Sequence, residues 1–154
     1  MQFTVGGLPA HPLIVHAVVV LIPLSALGAV AVAFRPVWNR PYAPLVAFGA
    51  VASALAATLA KIAGDELLIA IRPTPEYGAL LAEHGQFGLY TIFASWVFAV
   101  VAVATAVLGR RGSGAVRAVS AVSAVVGLVA LVLVVITGDL GATSVWGSLT
   151  GVAP

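Results

Sequence analysis

The sequence predicts an all-α integral membrane protein, a bundle of four transmembrane helices, and three observations carry that reading. The chain of 154 residues is 62% hydrophobic and only 8% charged, against about 25% charged residues in a soluble domain. Its apolar residues come in four runs, each close to the roughly 20 residues that cross a bilayer as a helix. The segments between and around those runs hold every charged residue except Lys61. One transmembrane domain over 1–154 is the expected organisation.

The predicted helices cover roughly 12–34, 43–64, 86–109 and 118–138. The first is not read as a cleaved leader. Residues 1–10 carry no positive charge and Arg35 follows the apolar run, the reverse of a secretory signal. Arg35 and Arg40 sit in the first connection, and Arg110, Arg111 and Arg117 in the third. Short basic loops stay in the cytoplasm. Both termini and the second connection therefore face outward, as expected of a multi-pass protein of the bacterial cytoplasmic membrane. Trp38 and Tyr42 mark the inner interface, and Tyr77, Tyr90 and Trp146 the outer one.

The outer connection, 65–85, is broken by Pro73 and Pro75 and alternates apolar clusters with charges. Leu67, Leu68 and Ile71 suggest one short amphipathic turn, and Leu80 and Leu81 another, lying in the interface plane. Small residues at four-residue spacing mark helix contacts in lipid. Gly49, Ser53 and Ala57 form such a stripe, Thr91, Ser95 and Ala99 a second, and Ser123 with Gly127 a third. The stripes suit packing within one protomer or between protomers of a homo-oligomer.

The two halves of the chain rhyme. Ile62-Ala63-Gly64-Asp65 and Ile136-Thr137-Gly138-Asp139 lie at an offset of 74 (Ile62 to Ile136), and His11 falls on His84 at an offset of 73 (His11 to His84). This points to two parallel helical-hairpin repeats about an axis along the membrane normal. Each Gly-Asp reads as a helix terminator with glycine at the C-cap.

The functional candidates are His11, His16, His84, Asp65 and Asp139, all at the outer end. An ionisable residue at a membrane helix is by default a functional-site hypothesis. His11 precedes Pro12, a residue suited to the first helical position, so it reads as a cap outside the helix. His16 lies five residues on, about 140° around a helix, so the two histidines face different partners. His16 shares a face with Pro23 and is expected to look into the bundle as its one buried histidine.

Neutral imidazole ligates iron, copper and zinc, and carboxylates orient its second nitrogen. The cluster therefore reads as a transition-metal or haem b site. His16 and His84 would be the haem ligands. His11, Asp65 and Asp139 would orient them or, with the other two histidines, ligate an ion directly. Such a protein would be a small electron-transfer subunit. The alternative is a non-catalytic structural or assembly subunit whose histidines hydrogen-bond the outer rim. With no cysteine in the chain, disulfides, thiolate iron–sulfur ligation, covalent c-type haem and thiol catalysis are excluded. No G-x-S-x-G or H-E-x-x-H arrangement occurs. The few charges bear on topology and not on nucleic acid.

The motif His11-Pro12-Leu13-Ile14-Val15-His16, the Gly64-Asp65 pair and the lone His84 resemble a bacterial four-helix membrane family, domain of unknown function 2231, which reads H-P-x-x-V-H near its start. The likeness covers nearly the whole chain. Some members are joined to Rieske-type iron–sulfur domains, so the resemblance implies a redox or quinone-side context and points to His11, His16 and His84. In this chain any electron partner would be a separate protein.

Overall fold

The computed structural model describes residues 3–150. Four helices follow one another: α1 Ala10–Phe34, α2 Asn39–Ile71, α3 Pro75–Arg111 and α4 Val116–Thr150. All four are long and apolar enough to cross a membrane, as the four apolar runs predict. Each helix packs along the next, and α4 closes the ring against α1. The starts of α1 and α3 and the ends of α2 and α4 form one end of the bundle, the histidine end. The opposite, arginine end carries Arg35, Arg40, Arg110, Arg111 and Arg117.

The interior is made of small residues and the surface of large ones. Ala29, Ala43, Ala50, Ala54, Ala99 and Ala102 are buried, while Leu24, Leu45, Phe48, Phe93 and Val100 are exposed. A soluble fold would invert that order. In lipid, bulk on the outside costs nothing, and close helix approach comes from small side chains inside. The predicted stripes fall where expected: Ser53, Ala57, Thr91, Ser95, Ala99 and Ser123 are all buried. Gly127 admits Phe98, the largest wholly buried side chain: a Cβ there would lie 3.0 Å from the Phe98 ring and 3.2 Å from Ala26 Cα. Buried hydroxyls are satisfied within their own helices, with Ser53, Thr91, Ser95 and Thr105 each donating to the carbonyl four residues back. That is the economical solution where no water competes.

The helices run longer than the sequence suggests. α2 and α3 absorb almost all of 65–85, and only Arg72–Thr74 link them. The predicted interfacial turns at Leu67–Ile71 and Leu80–Leu81 are continuations of the two long helices. Gly64-Asp65 and Gly138-Asp139 do not end helices either. Glycine terminates a helix when the chain needs a left-handed residue there, and both these glycines keep helical geometry. The real stop for α2 is Arg72, held at φ +46° immediately before Pro73. Pro75 then opens α3 at its first position, where a missing N–H is harmless. α3 ends in a Schellman motif. Gly112 (φ +65°) donates to Gly109 O and Ser113 donates to Leu108 O.

At the arginine end the Arg35 guanidinium lies 5.3 Å from the centroid of Trp38, which packs edge-on against Tyr42. At the histidine end a small hairpin precedes α1. Thr4–Val5 pairs with Leu8–Pro9 around Gly6 and Gly7, whose φ values of +59° and +82° are those a two-residue type I′ turn requires. The Phe3 N–H donates to Glu66 Oε2 at 2.8 Å, tying the hairpin to α2.

Candidate functional site: a histidine pair at one end of the bundle

Two of the three histidines meet. His11 sits in the first turn of α1, because the helix starts at Ala10 and not at Pro12 as the capping argument predicts. Pro12 is tolerated there because first-turn N–H groups have no intrahelical acceptor. His84 sits two turns into α3. Their ring centroids are 6.1 Å apart with the planes at 87°.

Each ring is oriented by a backbone carbonyl of the neighbouring helix. His11 Nδ1–H donates to Ala60 O of α2 at 2.7 Å, and His84 Nδ1–H donates to Thr137 O of α4 at 2.9 Å. A carbonyl only accepts, so the proton is on Nδ1 in both rings. In the neutral form Nε2 then keeps its lone pair, the state in which imidazole ligates a metal. Thr91 of α3 and Thr137 of α4 meet through their hydroxyls at 2.9 Å, joining the two helices beside His84.

The two contacts are copies of each other, including a glycine one turn beyond each carbonyl. Gly64 follows Ala60 by four residues, and Gly141 follows Thr137 by four. A Cβ at Gly64 would lie 2.8 Å from His11 Nδ1, and one at Gly141 would lie 3.0 Å from His84 Cε1. The structural counterpart of Gly64 is therefore Gly141, not Gly138, whose Cβ position is open. The rhyme of the two Ile-x-Gly-Asp segments is one helical turn out of register with the spatial repeat. α1 maps onto α3 at an offset of 73 (His11 to His84), and α2 onto α4 at 77 (Gly64 to Gly141).

The remaining candidates do not join the pair. His16 is exposed on the outside of the bundle, and its Nδ1–H turns back to Pro12 O at 2.6 Å on its own helix. The expectation of a buried, inward His16 fails for a geometric reason. The inward stripe of α1 runs through Ala10, Val18, Ile22, Ala26 and Ala29, and His16, two residues from Val18, is turned about 200° away from it. The predicted divergence of His11 and His16 does hold. Asp65 is exposed and paired with Lys61 one turn back on α2, and Asp139 is exposed on α4. Neither takes the histidine Nδ1 protons, which go to main-chain carbonyls. Among the described residues no three His, Asp or Glu side chains converge to hold one ion.

Ala60 and Thr137 were not legible as partners, since a carbonyl acceptor has no side-chain signature. The one trace in the sequence is the glycine four residues later. No curated protein and no solved structure matches the chain. The model of the family described as a predicted membrane protein, DUF2231, matches residues 7–154, which takes in all four helices and all three histidines. The chain belongs to that family of membrane proteins.

Proposed function

We propose that His11 and His84 are the two protein ligands of a transition-metal centre in a small membrane redox subunit. The observation that carries the reading is the pair itself. Two imidazoles that would share one metal ion, at metal–nitrogen distances of about 2.0 Å, need ring centroids no more than about 6 Å apart. Those of His11 and His84 are 6.1 Å apart, each ring with its Nδ1 proton engaged elsewhere. Second-nitrogen bonds of this kind orient a ligating histidine and raise its basicity.

Two forms of the centre differ in what they ask of the protein. Haem iron takes four nitrogens from its own ring, so two histidines are the whole protein share. A bare ion such as copper leaves its other positions to water or to a partner. Ala10, Ala60 and Ala63 are buried at this level. A porphyrin would require the helices to part there, so an ion is the form we favour. His16, Asp65 and Asp139 have no ligating role in either form.

The histidine end faces out of a bacterial cytoplasmic membrane in this reading. The arginine end holds five arginines, while Lys61 and Arg72 at the histidine end are set against Asp65, Glu66, Glu83 and Asp139. That asymmetry is the one the positive-inside rule uses. An outward-facing centre would exchange electrons with a redox partner on that side of the membrane.

A structural reading is favoured by one specific observation: both rings already tie two helices together through carbonyl bonds. Elemental analysis of the purified protein, with absorption spectra before and after dithionite, separates the readings. A stoichiometric transition metal, or a Soret band that shifts on reduction, supports the metal centre. Neither, after growth with copper, iron and zinc, leaves the structural role.

A further inference from the structure

We infer that Gly64 and Gly141 are positioning residues of the histidine pair, each setting the tautomer and orientation of one ring by leaving its carbonyl open. In an α-helix every Cβ leans toward the N-terminus. The side chain of residue i+4 therefore leans over the carbonyl of residue i, which already accepts the N–H of residue i+4. Where residue i+4 has no side chain, a donor from a neighbouring helix can approach that carbonyl closely from the covered side. Gly64 stands in that relation to Ala60 O, and Gly141 to Thr137 O, and the nearest imidazole atom lies 2.8 Å from the Cβ position of Gly64 and 3.0 Å from that of Gly141.

Elsewhere in the helices glycine answers to other demands or to none. Gly127 makes room for Phe98, while Gly78, Gly85, Gly88 and Gly138 meet nothing within 4 Å. A mid-helix glycine is unfavourable by its own propensity. Its presence at the two related positions under the two related histidines has its explanation in the ring contact. A methyl at Gly64 forces the His11 ring to shift, and one at Gly141 makes the His84 ring give by a few tenths of an ångström, so each bond to the carbonyl weakens. With that bond weakened, the ring is released toward the other tautomer, which puts the lone pair on the wrong nitrogen.

This assignment rests on the metal-centre reading for its purpose but not for its geometry, and the test separates the two. The full chain, labelled with ¹⁵N-histidine and reconstituted metal-free in lipid nanodiscs, is read by NMR for tautomer. His11 and His84 are expected as Nδ1–H tautomers. Gly64→Ala should convert the His11 signal to a mixture and leave His84 unchanged, and Gly141→Ala the reverse. Gly138→Ala, at an open position, should change neither. Copper(II) titration of the same samples should show binding weakened roughly 10- to 100-fold in the first two variants only.

Wild-type rings in the Nε2–H form would overturn the assignment without any variant, so a variant that fails to fold does not rescue it. Tautomers unchanged by both glycine substitutions would overturn it too. If the tautomers behave as expected and wild-type protein binds no copper, the positioning stands and the metal-centre reading falls.

Discussion

His11 of α1 and His84 of α3 stand with their ring centroids 6.1 Å apart, each anchored to the helix that follows its own in the chain. The diagonal pair of helices is thus joined at one end by two rings, and each ring is held by a carbonyl one turn before a glycine. Symmetry of this kind restricts what substitutions should do.

The rings should be equivalent as ligands and unlike His16. His11→Ala and His84→Ala each remove one imidazole and one interhelical hydrogen bond, which within membranes contributes about 0.5–2 kcal/mol. Both variants should lose bound metal while melting only a few degrees lower. His16→Ala should keep its metal, since its ring faces away from the pair. Metal content and thermal melts in detergent check all three.

Glycines in the helices should split by what they touch. Gly138→Ala gains helix propensity of about 1 kcal/mol with nothing to displace. Gly127→Ala drives a methyl to 3.0 Å from Phe98 and 3.2 Å from Ala26 Cα, and an overpacked core costs about 1–3 kcal/mol. The first variant should melt higher than the wild type and the second lower.

Arg72 is the one described non-glycine residue with positive φ. A side chain in the left-handed region costs about 1–2 kcal/mol, and glycine takes that conformation without penalty. Arg72→Gly should raise the melting temperature, provided the α2–α3 turn keeps its shape. A lower melting temperature would mean that the guanidinium contributes more than the backbone strain costs.

Most of the fold was legible in the sequence. Length and apolarity fix the four helices, and small-residue spacing fixes which faces touch, as Ser53, Thr91, Ser95 and Ser123 bear out by their burial. The helix ends were read less well. Gly64-Asp65 resembles a terminator, yet its glycine serves a side-chain contact, and the chain breaks later, at Arg72 and Pro73. The site was half legible. The offset of 73 pairs His11 with His84 correctly, but the carboxylates of Asp65 and Asp139 have a side-chain signature while the true acceptors, Ala60 O and Thr137 O, are main-chain oxygens that have none. His16 shares a face with Pro23, but the packed stripe of α1 is set by Val18, Ile22 and Ala29, which leaves His16 on the outside.

Orientation in the membrane is checked by a C-terminal reporter pair. Alkaline phosphatase fused there should be active in bacteria, and a cytoplasm-dependent fluorescent protein should be dark. The opposite pattern would place the histidine pair on the cytoplasmic side.

The most direct measurement is the electron paramagnetic resonance spectrum of copper(II) added at one equivalent to purified wild-type protein. The account predicts one bound copper per chain, with nitrogen hyperfine lines from two imidazoles that disappear with the bound copper in His84→Ala and stay at two in His16→Ala. An aqueous copper spectrum in the wild type, or a bound signal that survives loss of both His11 and His84, would contradict it.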